Sequence, residues 1–369
     1  MRRRDGLFDR LANRLLRRTI GEILRRGAYY VTYHRRPKRA ADIGIRPEIA
    51  DCGVPCAIVL QGPVDTIDDF TLETVRLYRA RDPACRVVVS TWRDTPAALL
   101  EALARAGAEI VTSDKPADPG PFNVNLQLVS ARAGIVRARE GGAVFVMKSR
   151  TDQRLYAPSL MPMLLALART FPPGGGTRQR ARVFGLGQGN LLYVPYHLTD
   201  QTLFGHADDI LAYYDAPLRE SAYPPGFPRD QLRMFREVPI GALARHAAAE
   251  TYLAASFLAR IGRPPAWTLE DSWGAFRDCF CVVDQAATDF YWRKGQATTL
   301  TDSLLSYACA TTRREMGFSD WLLLHAGLLD PAAARAFEEV AQARFEEPVA
   351  PRAAASPAAH RAWETKPVA

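Results

Sequence analysis

No apolar run in this sequence reaches the roughly 18–20 residues that span a bilayer, so no transmembrane helix is expected. A secretory signal is not expected either, because arginines interrupt every candidate apolar core within residues 1–30. The folded body is therefore expected in the cytoplasm. Cysteine is sparse, with six in 369 residues, at positions 52, 56, 85, 279, 281 and 309. The close pairs have C-x3-C and C-x-C spacings, which fit zinc sites poorly, and Cys85 and Cys281 fall in apolar, strand-like runs. Reduced core thiols are the expectation. No internal repeat is visible. The body also lacks charge of one sign. The net +8 is concentrated in residues 1–40, which hold 13 Lys/Arg against Asp5, Asp9 and Glu22, so the other 329 residues sum to −2. A nearly neutral body argues against a nucleic-acid-binding module, whose basic surface belongs to the folded domain.

What is there begins with that basic segment. Leu7, Phe8, Leu11, Leu15, Leu16, Ile20, Ile23 and Leu24 recur at about helical spacing with arginines between them. Such a helix suits a membrane interface, with leucines inserted and guanidinium groups against anionic headgroups. The alternative is a helix that packs on the protein's own body with a solvated basic face. From residue 56 the pattern alternates. Short apolar strands are predicted at 56–60, 86–90, 109–112 and 143–148, with helices near 68–81, 95–106, 123–140 and 158–170 between and after them. That is the signature of a parallel sheet covered on both faces. Strand-like pieces follow in 182–205 and a helix near 206–215. The C-terminal part is helix-rich, at about 245–261, 301–315 and 332–345. Four regions are read: a basic amphipathic segment 1–50, a catalytic α/β domain 51–300, C-terminal helices 301–346 and a Pro/Ala-rich disordered tail 347–369.

In open parallel sheets ligands bind beyond the carboxyl ends of the strands, so the residues there come first. After the first strand stand Gln61, Gly62 and Pro63, where glycine allows close backbone approach and proline stiffens the turn. The second ends on Trp92, a flat surface for a base or sugar, and the third on Ser113-Asp114-Lys115. The fourth runs into Lys148-Ser-Arg150-Thr-Asp152, two cations and a carboxylate at one mouth. Lys148 and Arg150 suit phosphate oxygens, and Asp152 suits a divalent metal that bridges a diphosphate. An Arg150–Asp152 surface salt bridge is the plainer alternative. Gly185-Leu-Gly-Gln-Gly189 hints at a dinucleotide fingerprint, but a proline-broken, strand-like stretch follows it instead of a helix. It is read as a flexible loop or tight turn.

The blocks Ile58-Val-Leu-Gln-Gly-Pro63, Val88-Val-Ser-Thr-Trp92 and Asn123-Val-Asn-Leu-Gln127 with Ser130 and Gly134 are followed by Val146-Met-Lys-Ser-Arg-Thr-Asp-Gln153. Then come His197-Leu-Thr-Asp200 with Phe204-Gly205, and weaker echoes at Glu250-Thr-Tyr-Leu253 and Tyr291-Trp292. In this order the set resembles the WavE family of lipopolysaccharide-synthesis proteins, regarded as glycosyltransferases similar to the GT-A type. The resemblance implies a Rossmann-like GT-A fold and an Asp-x-Asp element that holds Mn²⁺ or Mg²⁺. Here arginine replaces the first carboxylate, so only Asp152 stands at the metal position and metal dependence is open.

On that reading Gln61, Gly62, Pro63 and Trp92 hold the nucleotide. Asn123, Asn125 and Gln127 either bond the sugar or cap their helix. Asp209 is the first choice of base and Asp200 the second; for Asp208 and Asp209 the alternative is interaction with a helix dipole. His197 is a possible late metal ligand or a structural residue. The implied partners are a nucleotide-sugar donor, a lipopolysaccharide or related glycan acceptor, and the inner-membrane surface through residues 1–40, with no nucleic acid. A nucleotidyltransferase would want a glycine-rich basic loop after the first strand, which Gln-Gly-Pro-Val does not supply. A non-catalytic membrane scaffold is the remaining rival.

Overall fold

The computed structural model describes residues 7–27, 34, 36–46, 53–230, 233–234, 237–294 and 314–342. Cys52, Cys309, the tail at 347–369 and nearly all of the helix expected at 301–315 lie outside these residues. The first four strands are β1 (Cys56–Gln61), β2 (Arg86–Trp92), β3 (Glu109–Ser113) and β4 (Phe145–Arg150). Short β5 (Gln153–Leu155), β6 (Val183–Leu186), β7 (Thr202–His206), β8 (Phe280–Val283) and β9 (Phe290–Trp292) follow. Seven of them form one sheet in the order β3-β2-β1-β4-β7-β6-β8. All run parallel except β7, which is antiparallel to both β4 and β6. The expected α/β architecture, mostly parallel with a helix-rich C-terminal part, is present.

Every residue of β1 is buried, as a strand covered on both faces requires. The helices Phe70–Arg81, Ala97–Arg105 and Val124–Glu140 supply the crossovers. The third lies hard against β1 and β2. A Cβ on Gly134 would fall 2.5 Å from Val59 Cγ1, and Ser90 Oγ donates to the Ser130 carbonyl at 2.7 Å. The core reaches from β1 to the C-terminal helices, where Trp321 is wholly buried and donates its indole N–H to the carbonyls of Phe276 and Phe280. Burial of each such large apolar side chain contributes about 1.5–3 kcal/mol.

Three local readings change. The stretch 190–195 is not a strand, and of it only Leu191 makes a β-bridge, to Glu315. Pro195 removes a ladder donor, and Tyr196 takes φ +54°, so the chain turns instead of extending. Within the region read as helix-rich, Phe290–Trp292 is a strand, β9, which pairs with β5 in a separate two-stranded sheet, while the strand-like run around Cys281 is β8 and joins the main sheet. The predicted helix at 245–261 divides into Ile240–His246 and Ala249–Arg260, and a helix at Leu269–Cys279 was not expected.

The basic segment forms a helix at Leu7–Arg26 with Phe8, Leu11 and Leu15 exposed. Among the described residues no helix is long and apolar enough to cross a membrane. Cys56, Cys85, Cys279 and Cys281 are buried and stand outside any disulfide.

Candidate functional site

Parallel strands bring the loops after β1, β2, β3, β4 and β6 to one mouth, and antiparallel β7 starts there. The loops after β1 and β4 are stitched together. Gly62, at φ +115°, donates its N–H to the Ser90 carbonyl, and a Cβ there would meet Thr151 Oγ1 at 3.3 Å. Thr151 N–H donates to the Gln61 carbonyl at 3.1 Å, and its hydroxyl donates to the Pro63 carbonyl at 2.6 Å. The turn Arg150-Thr151-Asp152 is thereby held rigidly under the mouth.

The Asp152 carboxylate is buried and fully engaged. Arg150 donates to it from Nε at 2.9 Å and Nη2 at 3.1 Å, Trp292 from Nε1 at 3.2 Å, and Lys294 Nζ lies 3.3 Å away. Burial alone would raise its pKa, but the Arg150 hydrogen bonds and charge, with Lys294 and Trp292, outweigh that and hold it at about 2. The Arg150 guanidinium packs over the Trp292 ring at 5.6 Å. Nearby Asp65, also buried, accepts from Arg293 Nε and from the Ile67 N–H. Trp292, Arg293 and Lys294 reach the mouth because β9 pairs with β5, directly after the turn.

Lys148 points inward. It is fully buried, donates to the Asp200 carbonyl at 2.6 Å and lies 5.0 Å from the centre of the Tyr214 ring. Burial pushes its ammonium down to about 7, against the pull of the Asp200 charge. The same carbonyl accepts from Gln127 Nε2 at 2.9 Å and from the Tyr214 hydroxyl at 3.3 Å. Three donors thus fix the Asp200 backbone, while its half-buried carboxylate has no hydrogen-bond partner among the described residues. Glu250 sits within electrostatic reach of it; burial, then the Asp200 charge, raises the Glu250 carboxyl above its usual range. His197 gives its Nδ1–H to the Gly189 carbonyl at 2.8 Å and turns Nε2 toward Glu250 at 3.8 Å. The Gly187-Gln-Gly189 loop, with φ of +101° and +87° at its glycines, is the tight turn that carries this contact.

The expected site residues divide accordingly. Gln61, Gly62, Pro63, Arg150, Asp152 and Asp200 converge on the mouth. Gln61 accepts from Ser130 Oγ at 2.7 Å, which fixes its amide. Trp92 is buried and so does not offer an open face; it lines a cavity of about 480 Å³ with Arg93, Asp94, Ser113, Asp114 and Lys115. Two crossed ion pairs rim that cavity, Arg93–Asp114 at 2.7 Å and Lys115–Asp94 at 2.6 Å. Lys148 is turned away from solvent, so its role as a direct phosphate contact is corrected to support of Asp200. Asn125 is also buried: it donates to the carbonyls of Asp118 and Arg219 and accepts from the Arg219 N–H, which ties residue 219 to this helix. Gln127 binds a backbone carbonyl, and Asn123 is exposed with no side-chain cap bond.

Asp209 does not join the cluster. Phe145 pairs with His206, so antiparallel β7 ends at the amino edge of the sheet, roughly 16 Å from the mouth at a strand rise of about 3.3 Å per residue. There the Asp209 carboxylate accepts the N–H groups of Arg180 and Ala181, at 3.0 and 2.8 Å. Its place as first-choice base is corrected for that reason. Asp65, Trp292, Arg293, Lys294, Tyr214 and Glu250 are brought to the same mouth, and local patterning did not single them out. The available signals were a short aromatic strand that runs into Arg-Lys and the weak echoes at 250–253 and 291–292.

The divalent metal expected at Asp152 is not fitted by these residues. Mg²⁺ and Mn²⁺ want several free oxygen ligands, whereas both Asp152 oxygens are taken by nitrogen donors. Among the described residues no group of three or more His, Cys, Asp or Glu is placed to hold a metal ion.

Residues 56–263 match the family described as WavE lipopolysaccharide synthesis. No curated protein matches the chain in sequence. Of solved structures, S. aureus TarS 1–349 aligns with a TM-score of 0.33 at 9% identity, over 77% of this chain and 73% of that one. Glucosyl-3-phosphoglycerate synthase from Mycobacterium tuberculosis, solved with Mn²⁺, uridine diphosphate and glucosyl-3-phosphoglycerate, gives 0.30 at 13% identity, over 64% and 88%. A Bacillus anthracis protein assigned as a glucose-1-phosphate thymidylyltransferase, solved with sucrose, gives 0.29 at 9% identity, over 44% and 76%. The chemistries named among these structures differ, so the functional argument rests on the family match and on the site's own residues.

Proposed function

The chain belongs to the WavE lipopolysaccharide synthesis family, and from that premise we propose that it is a GT-A-like glycosyltransferase. It moves a sugar from a nucleotide-sugar to a lipopolysaccharide or related cell-surface glycan. One observation carries the reading. A rigid mouth at the strand ends sets a cluster of cations beside a single carboxylate, Asp200, that has no hydrogen-bond partner among the described residues. Glycosyl transfer needs both parts: positive charge for the departing phosphate and a base for the acceptor hydroxyl.

The nucleotide occupies the cavity lined by Trp92, Arg93, Asp94 and Lys115, and the Gln61-Gly62-Pro63 turn at the end of the neighbouring strand leads from it toward Arg150. The sugar then lies between Arg150 and Asp200. Asp200 takes the acceptor proton; its backbone cannot drift, because Lys148, Gln127 and Tyr214 hold the carbonyl. The helix Leu7–Arg26 rests on the cytoplasmic face of the inner membrane, with Phe8, Leu11 and Leu15 in the interface and arginines against anionic lipid.

Incubation of the purified protein with UDP-, GDP-, ADP- and CMP-sugars and a lipopolysaccharide acceptor, with release of free nucleotide followed, tests the reading. Acceptor-dependent release from one donor is expected. If no donor is either bound or turned over, the enzyme reading fails and the scaffold alternative replaces it. Sedimentation with phosphatidylglycerol vesicles tests the membrane part separately: Leu11→Glu with Leu15→Glu should abolish it and leave turnover of a soluble acceptor intact.

A further inference from the structure

We infer that the donor's diphosphate is held by Arg150 and Lys294 without a divalent cation, while Arg293 is spent on Asp65 beside them. The inference rests on the glycosyltransferase reading above and says what holds the leaving group in that site.

The geometry supports it on three grounds. Asp152 has no oxygen left for a metal: Oδ1 accepts from Arg150 Nε, while Oδ2 faces Arg150 Nη2, Trp292 Nε1 and Lys294 Nζ. A metal at this position would have to expel a bidentate guanidinium and then stand beside its charge, an unfavourable exchange in a mostly buried site. The second buried acid, Asp65, is likewise engaged, by Arg293 and the Ile67 N–H. Three cations therefore face two acids, which leaves a net positive charge at the turn.

That surplus faces outward. Arg150 and Lys294 side chains are 30% and 33% exposed, and Arg150 Nη1 has no hydrogen-bond partner among the described residues. Trp292 fixes their placement: its ring lies under the Arg150 guanidinium and its N–H is bound to Asp152. Asp152 is thus an anchor that aims two cations, and the element that would bind a metal as Asp-x-Asp has become a cation holder.

In the transfer the bond from the anomeric carbon to the diphosphate oxygen breaks, and its electron pair stays on that oxygen. The acceptor oxygen bonds the anomeric carbon, and its proton goes to the Asp200 carboxylate. The charge that grows on the departing diphosphate is met by Arg150 Nη1 and Lys294 Nζ.

Calorimetric titration of the full chain with UDP, GDP, ADP and CDP, in EDTA and then in Mn²⁺, tests this. One nucleoside diphosphate is expected to bind with affinities that agree within about twofold in the two buffers. Lys294→Gln should weaken that binding about tenfold, the loss of one charge-assisted contact. Arg150→Asp restores a carboxylate pair; its nucleotide binding should fall in EDTA and recover in Mn²⁺. Binding by the unaltered protein that requires Mn²⁺ overturns the inference and leaves the glycosyltransferase reading standing. Absence of binding to every nucleotide in both buffers overturns both. Circular dichroism of each variant separates lost contacts from lost fold, and a folded Lys294→Gln with unchanged affinity also overturns the inference.

Discussion

The two edges of the central sheet both carry buried carboxylates, yet among the described residues the parts of the proposed site gather at one edge. At the carboxyl edge Asp152 lies between the cations Arg150 and Lys294, which come from distant segments, and its pKa is held at about 2. At the amino edge burial raises Asp209 to about 6, although two backbone amides oppose the shift. A raised carboxyl pKa is a common mark of a catalytic acid or base. Here it marks the closed edge, where the amides of 180 and 181 occupy the carboxylate and Asp208 is tied to Arg139 and Arg180. Which groups remain unpartnered at an open mouth is the better guide than the size of a shift.

The largest effect that separates the edges should be on stability. Asp152→Ala leaves Arg150 and Lys294 without their shared anion in a mostly buried place, and a loss of about 3–5 kcal/mol is expected in urea denaturation. Asp208→Ala, which breaks the half-exposed pairs with Arg139 and Arg180, should cost less than about 1 kcal/mol. Equal losses at the two positions would erase the distinction. Next in size is Asp200→Asn. Turnover should fall on the order of 10²-fold or more with nucleotide affinity retained, because the backbone carbonyl and not the carboxylate holds the surrounding network. A matching fall in affinity would instead make Asp200 a binding residue.

The parallel half was legible in the sequence because its signals are local. Strands 56–61, 86–92 and 109–113 are short apolar runs between helical patterns, and their ends are fixed once they are parallel. The choice between Asp200 and Asp209 was not legible in this way. It depends on β7 running antiparallel, which sends His206 to the amino edge, and nothing within residues 202–206 encodes that direction. The same holds for Trp292 and Lys294. Their contact with Asp152 follows from the pairing of β5 with β9, three residues on each side, where strand propensity is weak and the sequence separation is large. Lys148 misled for another reason: in a strand, alternate side chains face opposite sides of the sheet, and this one faces the core.

The smallest expected effect on turnover is the most pointed test of the two edges. Asp209→Asn should leave the catalytic rate within about twofold, since the residue lies a strand's length from the mouth. Its signature belongs to stability against pH. The folded pKa of about 6 lies above the ordinary carboxyl value near 4, so the folded state holds this proton more tightly than the unfolded chain. The contribution is therefore complete below about pH 4 and is lost as pH rises through 6. Asparagine cannot ionise, so the variant should gain on the unaltered protein between pH 4 and 6.5 and then run parallel to it. The gain is bounded by about two pKa units, roughly 3 kcal/mol, less whatever is lost when the amide replaces an acceptor of the Arg180 and Ala181 N–H groups. Urea midpoints measured across that range would show the divergence. A folded Asp209→Asn protein with turnover down a hundredfold would move the chemistry to the amino edge, and the cation-lined mouth would then need another purpose.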